Sequence, residues 1–472
     1  MKKTRPAAKA IQRMGLLLLM SCAATNLVSA ANENQPARLT LSQAVELALK
    51  ADYQVKSDAN SLAKTSLAAK KTTLDTLPQA TVEGQYQYQT LDNTYPSGYQ
   101  IVLQQTLPTS YNLYGQKIDS STAAAIWEQR IAAATLQISQ AEVIYNTYAD
   151  YLNVLKLQQM VQQHEAAVTT YRESNAAALQ QLSLGKITKP DQLKIENYLD
   201  QAEYDVAKDR SDLEIARETL ANQIGLRDLS GYRLDEVKLA TESSGKDPAD
   251  QELAAIQKQA LAKRLELQKL NLGIKKTQRT WAEAKNNELP VLSFNYNNKT
   301  ASQSYGLGYD FLNGAFSWQA AQASSSAISE NSSTNYFSSS DKSYFTLKLS
   351  WNLDFGAAAN TTQQAQYDLD NSRLEREKEQ QAVQLEVKGA WADYQLARKQ
   401  QELDQKTTAY HAKNVEIMKL QAKLGTIKAA DLAEAQQDEL DARITAIKSG
   451  YDQILAFQKL QKATGNLYPA AQ

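Results

Sequence analysis

The stretch LGKITKPD at residues 184–191 has a close counterpart in LGTIKAAD at residues 424–431, 240 positions later (424 − 184). Each copy ends a long segment that is poor in helix breakers. Residues 120–184 contain neither Pro nor Gly, and residues 361–424 contain a single Gly. At ~1.5 Å per residue, a helix of this length spans on the order of 100 Å. Because Gly tolerates the left-handed conformation that closes a helix, the pattern predicts two long helical hairpins that turn at these glycines.

The two hairpins belong to a longer internal repeat. Two further markers recur: Leu77-Pro78 as Leu289-Pro290 at an offset of 212 (290 − 78), and Tyr148-Ala149-Asp150-Tyr151 as Trp391-Ala392-Asp393-Tyr394 at an offset of 243 (394 − 151). We therefore predict one repeat over residues 31–235 and a second over 236–472, each ordered helix, strand, loop, strand, long helix, turn, helix. The offset grows between the two markers, which indicates an insertion in the second copy. Residues 301–342, rich in Ser, Asn, Gly and Tyr, are predicted to be this insertion and to form a polar loop.

Strands are predicted directly after each Leu-Pro pair and again before each long helix. Apolar and polar residues alternate there with a period of two, over about ten residues per strand, around positions 82–89, 99–107, 292–297 and 345–353. This pattern fits a sheet with lipid on one side and water on the other. It fits equally a half-buried sheet of a soluble protein, and the strands alone leave both interpretations open.

The returning helices show seven-residue periodicity, which is typical of coiled coils. Ile195, Ala202 and Ala216 share one phase, with Asp209 as a polar exception on the same stripe. The first long helix carries two apolar stripes, so we expect neighbours on both of its sides, as in a curved wall of helices. A plain antiparallel bundle without a lumen is an alternative that the stripes leave open.

The N-terminus is predicted to be a signal peptide over residues 1–30. It has five basic residues, a short apolar region at 14–24 and the cleavage sequence Val28-Ser29-Ala30. Removal of the five cations would change the net charge from −1 to −6 (−1 − 5). Cys22, the only cysteine, lies inside this segment, and lipidation at Cys22 is the alternative interpretation. After residue 30 no stretch approaches 18 consecutive apolar residues, which excludes an α-helical membrane span.

Taken together, the signal peptide, the duplicated unit, the two strands per unit and the paired Leu-Gly turns resemble the TolC family of outer membrane efflux proteins. The resemblance covers about residues 39–467 and includes Leu353-Asp354-Phe355-Gly356 after the last strand. It implies a mostly α fold with a small β part, in which three chains form a twelve-stranded transmembrane β-barrel that continues into a long periplasmic α-helical barrel. It also implies a passive exit duct for drugs, other small molecules or proteins, working in tripartite efflux pumps or type I secretion systems.

The resemblance further implies partners and site residues. The partners are two further copies of the chain, a periplasmic adaptor protein, an inner-membrane transporter and outer membrane lipid, and no cofactor is needed. Adaptors of the family engage the helical turns, which here contain Leu184, Gly185, Ile187, Leu424, Gly425 and Ile427. Acidic residues line the family's periplasmic entrance, and the corresponding residues are Asp431, Glu434 and Asp191, although Asp191 also suits a helix cap. Ala422 and Ile427 stand where well-studied members close the entrance with Tyr and Arg.

Other function classes find little support in the sequence. The two histidines, His164 and His411, have no second ligand at metal spacing, and no phosphate loop or nucleophile elbow is present. The net charge of −1 gives no indication of a nucleic-acid partner. We therefore predict that the chain is not an enzyme. The alternative function is a periplasmic coiled-coil adaptor or structural protein without a pore.

Overall fold

The computed structural model describes residues 37–85, 98–109, 121–236, 252–300, 302–323, 342–351, 356–424 and 426–467. The predicted signal peptide, Cys22 and Gly425 lie outside these residues. The fold within them is mostly helical with one sizeable sheet, as predicted from the sequence. None of the helices in these ranges is both long and apolar enough to cross a membrane.

The first half of the chain contains four helices and four strands. Their bounds are β1 Ala37–Leu39, α1 Leu41–Ala51, α2 Tyr53–Leu74, β2 Gln79–Gln85, β3 Gly98–Pro108, α3 Ser121–Ser183, α4 Lys189–Ile224 and β4 Tyr232–Leu234. The short strands β1 and β4 pair in parallel, so that the two ends of this half meet.

The second half repeats this order of helices, and its four strands all lie between the second and third of them. Its elements are α5 Leu253–Lys263, α6 Leu265–Asn286, β5 Val291–Lys299, β6 Gln303–Asp310, β7 Ala315–Ala323, β8 Lys342–Ser350, α7 Ala357–Lys423 and α8 Ala429–Ala463. The two longest helices, α3 and α7, have 63 and 67 residues, which matches the two segments that are poor in helix breakers.

The helix ends follow local capping rules. Thr40 and Gln43 form a capping box at α1, and Thr188 and Asp191 form one at α4, so two otherwise unpaired N–H groups are satisfied at each start. Gly225 ends α4 with φ +72, a left-handed conformation that Gly adopts without strain. A Cβ on Gly225 would also lie 2.7 Å from the Cβ of Ala51, so the close approach of α1 needs this Gly as well.

The central helices are buried on two sides. α3 contacts α4 on one side and α8 on the other, and α8 also contacts α7. The expectation of neighbours on both sides of the first long helix is thus confirmed. Ile195, Ala202 and Ala216 of the predicted seven-residue stripe are buried, and so is Asp209 within it.

The sheet has six strands in the order β2-β3-β7-β6-β5-β8, and every neighbouring pair is antiparallel. The sequence predicted four strands, so the interpretation of residues 301–342 as a polar loop is wrong over 303–323. In β6 the apolar positions alternate with Gly306 and Gly308, and this Gly-rich composition concealed the strand pattern. Among the described residues the sheet is open, with β2 and β8 at its edges, and no closed barrel is present in the single chain.

Candidate functional site

The turns of the two hairpins have the same backbone hydrogen bonding. After α3, the N–H of Lys186 donates to the carbonyl of Gln181 over 2.8 Å, and Gly185 has φ +65. After α7, the N–H of Thr426 donates to the carbonyl of Gln421 over 3.0 Å. A bond from a residue to the fifth residue before it, next to a left-handed Gly, is the Schellman closure of a helix. Local sequence therefore fixes where each long helix ends.

The two hairpin tips lie against each other within one chain. Ala178 of α3, Ile195 of α4 and Ala433 of α8 form a small buried cluster between them. Beside it, the Nζ of Lys194 lies 2.6 Å from Oε2 of Glu434. These two residues occupy equivalent positions in the two repeats (434 − 194 = 240). The first and second repeats of one chain therefore carry opposite charges at the point where they meet.

A second ion pair joins the tips. The Nζ of Lys428, just before α8, lies 3.7 Å from Oδ1 of Asp191, near the start of α4. Both ion pairs are formed by partly exposed side chains, so their attraction is reduced by water and salt. Together they link the start of α4 with the start of α8.

Asp191 serves as a capping residue. Its Oδ2 accepts hydrogen bonds from the Thr188 hydroxyl over 2.7 Å and from the Thr188 N–H over 3.3 Å. These bonds, the hydroxyl bond foremost, hold the pKa of Asp191 below its ordinary value, with a smaller contribution from Lys428. The Asp191 carboxylate is therefore ionised at neutral pH.

Asp431 and Glu434 are both exposed on the first turns of α8. Asp431 accepts a 3.4 Å hydrogen bond from the N–H of Lys428, which is the equivalent of the Asp191 bond at the other tip. The hydrogen bond that Lys194 donates to Glu434 raises the pKa of Lys194. The structure thus brings all three predicted acidic residues to one end of the hairpins and gives two of them a lysine partner.

The apolar residues of the turns differ in exposure. Leu184 and Leu424, at equivalent positions, are 68% and 79% exposed. Ile187 and Ile427, three residues further on, are half-buried. Each tip therefore presents one exposed leucine and one half-buried isoleucine, and Ile187 packs against the small buried cluster.

Sequence reasoning missed the two lysines of this site. Lys194 and Lys428 lie on helical starts that are rich in charge, where a lysine ordinarily faces solvent. The charge reversal between Lys194 and Glu434 at the 240-residue offset was the available signal. In the ranges that the structure describes, no group of His, Cys, Asp and Glu residues is arranged to hold a metal ion.

Comparison with protein families gives a match over the second repeat. Residues 256–466 match the model of the family described as outer membrane efflux protein. These residues form an outer membrane efflux protein domain. The match confirms the family predicted from the sequence and the outer membrane location that goes with it. Members of this family are transport channels and not enzymes.

Solved structures extend the likeness to almost the whole chain. The outer-membrane channel OprN matches with a TM-score of 0.65 at 17% identity, over 91% of this chain and 91% of that one. The CmeC outer membrane channel of Campylobacter jejuni matches with 0.64 at 15% identity, over 92% and 87%. The open state of the Neisseria gonorrhoeae MtrE outer membrane channel matches with 0.63 at 13% identity, over 93% and 93%. At these identities the likeness establishes the fold; no curated relative matches in sequence.

Proposed function

We propose that this chain is the outer membrane exit duct of a tripartite efflux pump or a type I secretion system, a passive channel for drugs, small molecules or proteins. The observation that carries the proposal is the outer membrane efflux protein domain at 256–466, set in a fold that resembles such channels over nine-tenths of the chain. The repeats at 31–235 and 236–472 would supply one hairpin each to the wall of the duct.

The exposed helix edges support assembly as a homotrimer. Helices α3 and α8 lie between α4 and α7. Helices α4 and α7 therefore form the two edges of one chain's helical layer. Both edges carry apolar side chains that are exposed in the single chain: Leu396, Leu403, Tyr410 and Ile417 on α7, and Leu193, Tyr204 and Ile215 on α4. The α7 residues recur every seven positions and the α4 residues every eleven, and we call these two sets the α7 seam and the α4 seam. Regularly spaced apolar residues of this kind pack against other helices. We propose that α7 of one copy packs against α4 of the next, which closes three copies into a ring.

Strand β8 supports contact with outer membrane lipid. Phe345, Leu347 and Leu349 on one face are 68–72% exposed, and they alternate with Thr346 and Lys348 on the other. Burial of such side chains in hydrocarbon is favourable by about 25 cal/mol per Å². The apolar face would therefore lie against lipid and the polar face against the lumen, with the sheets of three copies joined at their edges.

The hairpin tips would form the periplasmic entrance. Three copies of Asp431 and Glu434 supply six carboxylates, and a narrow ring of this charge attracts cations. The ion pairs from Lys194 to Glu434 and from Lys428 to Asp191 connect α4 and α8 where the family's Tyr and Arg links are missing at Ala422 and Ile427. We propose that these pairs hold the resting tips together.

The exposed leucines of the turns support docking of a periplasmic adaptor, itself coupled to an inner-membrane transporter. The proposed contact surface comprises Leu184, Gly185 and Ile187 of one turn and Leu424, Gly425 and Ile427 of the other. Exposed apolar side chains at the centre of a polar rim are typical anchors of protein interfaces.

The test is planar-bilayer conductance of the purified mature protein, beside the isosteric variant Asp431→Asn/Glu434→Gln. Discrete cation-selective openings that lose selectivity in the double variant would support both the duct and its entrance. Openings with unchanged selectivity would place the selective ring elsewhere. A protein that stays out of the membrane would contradict the duct and favour the coiled-coil adaptor.

A further inference from the structure

The hairpin of β6 and β7 lies in the middle of the sheet. β7 pairs with β3 over nine residues, from Gln100–Ala323 to Pro108–Ala315, and β6 pairs with β5 from Ser293–Asp310 to Lys299–Ser304. Strands β3 and β5 do not pair with each other in this sheet, because the hairpin lies between them. Without the hairpin, the pair β2–β3 would be separated from the pair β5–β8, and the sheet would be divided in two.

The faces of the hairpin continue the faces of its neighbours. In register across the sheet, one row runs Leu107, Phe316, Tyr309, Phe294 and Leu347, and the next runs Gln105, Trp318, Leu307, Tyr296 and Phe345. The single amide in these rows, Gln105, accepts a 2.8 Å hydrogen bond from Nε1 of Trp318 and donates a 2.8 Å bond to the carbonyl of Thr76. In these two rows, the face shared by the five strands β3, β7, β6, β5 and β8 is therefore aromatic and aliphatic apart from Gln105.

The opposite face of the hairpin is small and polar. On β6 it consists of Ser304, Gly306, Gly308 and Asp310, and on β7 of Ser317 and Gln319 together with Ala315, Ala321 and Ala323. Side chains from both neighbouring strands reach over the glycines, since a Cβ on Gly308 would lie 2.7 Å from Asn295 Oδ1 and 2.7 Å from Ser317 Oγ. This segregation of apolar and polar faces distinguishes a membrane-facing strand from a solvated loop.

The connections of the hairpin hold it in place. Only residues 300–302 separate β5 from β6, and the N–H of Thr300 donates to the carbonyl of Gln303 over 2.8 Å. At the other end, the N–H of Thr109 donates to the carbonyl of Gly314, and Leu312 is buried. The short β5–β6 connection and the bond from Thr109 to Gly314 thus hold both ends of the hairpin against the adjacent strands.

We infer that the β6–β7 hairpin is part of the lipid-facing wall of the duct, so that each chain contributes six strands to the outer membrane instead of four. This inference rests on the proposed homotrimeric duct. Since strand directions alternate from β2 to β8, joining β2 of one copy to β8 of the next keeps the pairing antiparallel around the ring. Three copies then give eighteen strands (3 × 6). Because barrel diameter grows roughly linearly with strand number, the mouth is about 1.5 times as wide as that of a twelve-stranded barrel.

The test is site-specific fluorescence quenching on the full-length protein, purified from outer membranes and reconstituted in phosphatidylcholine vesicles. Leu307→Cys on the apolar face and Gln319→Cys on the polar face of the hairpin are labelled with a bimane thiol probe. Leu347→Cys and Lys348→Cys on β8 are the matched controls. The unsubstituted chain gives the background, because its one cysteine, Cys22, lies in the predicted signal peptide.

We expect nitroxide-labelled phospholipid to quench the probes at 307 and 347 alike, and at least about three-fold more strongly than those at 319 and 348. Aqueous iodide should give the reverse order. A probe at 307 that iodide quenches, beside a lipid-quenched probe at 347, would overturn the inference and leave the duct intact. Iodide quenching at both 307 and 347 would overturn the membrane-inserted sheet and the proposed function with it. If Leu307→Cys does not fold, Tyr305→Cys on the same face replaces it.

Discussion

Nδ1 of His164 on α3 lies 2.8 Å from Oδ2 of Asp209 on α4, and both side chains are buried between the two helices. This contact explains why the apolar stripe of α4 contains a polar residue. The buried carboxylate of Asp209 is bound by a histidine of the neighbouring helix. At the 240-residue offset the corresponding residues of the second hairpin are Asp404 and Ser449, which are also buried.

Removal of one partner of this pair should destabilise the protein more than removal of both. His164→Leu leaves the Asp209 carboxylate buried without its partner, and we expect a loss of about 3–5 kcal/mol of unfolding free energy. The double variant His164→Leu/Asp209→Leu should recover most of this loss, because two leucines fit a coiled-coil stripe. Chemical denaturation of the three proteins measures the coupling, and equal losses in the single and double variants would contradict it.

Tyr151 should stabilise the first repeat. It is fully buried on α3. Its hydroxyl donates to the carbonyl of Leu39 over 2.8 Å and accepts a 2.9 Å bond from the N–H of Asp235, so it ties the β1–β4 pair to the helix. Tyr151→Phe removes both of these hydrogen bonds, and a loss of about 1–3 kcal/mol of unfolding free energy is expected. Thermal unfolding checks this, with Tyr53→Phe, at a position 87% exposed, as a control expected to change little.

The stability of the protein at alkaline pH should also depend on Tyr151. Burial raises the pKa of Tyr151 to about 12 from its ordinary value of 10. The folded state therefore favours the protonated phenol, and this contribution to stability is complete below pH 10 and is lost as the pH rises towards 12. Stability measured across that range should fall less steeply in Tyr151→Phe than in the unsubstituted protein. Parallel slopes would show that Tyr151 does not titrate with unfolding.

The α7 seam should be required for assembly. Leu403→Glu/Tyr410→Glu places two charges on the seam, and we expect the purified protein to shift from trimer to monomer in sedimentation measurements. Gln405→Glu adds a charge at an exposed position of the same helix outside the seam and should leave the trimer intact. Trimers of unchanged stability in the double variant would show that α7 does not form the contact between copies.

The tip ion pair should affect gating more than stability. Lys194→Gln breaks the bond to Glu434 between side chains that are 41% and 55% exposed, so the unfolding free energy should change by less than about 1 kcal/mol. If the pair holds the resting entrance together, single-channel recordings should show more time in the open state. Lys186→Gln, on the exposed turn, is the matched control. Equal open times in the two variants would remove Lys194 from the entrance mechanism.

The turn leucines should matter only for coupling to a pump. Leu184→Glu and Leu424→Glu alter side chains that contribute little to folding, so the level and assembly of the duct should stay normal. Resistance to an exported drug, in cells that lack their own copy, should fall severalfold if these leucines contact the adaptor. Leu67→Glu on α2, at a position 67% exposed, is the control and should retain resistance. Full resistance in both turn variants would contradict the docking proposal.

The sequence by itself determined the parts of this protein that depend on neighbouring residues. The absence of Pro from both segments, with no Gly in α3 and only Gly389 in α7, permits the lengths of these helices. Gly185 sets the end of α3, because helix propagation and capping are local. The capping role of Asp191 was open to prediction for the same reason. Alternation likewise located β3, β5 and β8, whose side chains are large enough to reveal a period of two.

Tertiary structure alone decided which distant residues meet. No local rule joins His164 to Asp209, or Lys194 to Glu434, since each pair depends on how two helices lie against each other. The hairpin of β6 and β7 was also decided by tertiary structure, because its Gly306 and Gly308 are poor strand formers in isolation. They form a strand here because β5 and β7 on either side supply the backbone hydrogen bonds that the segment could not make alone.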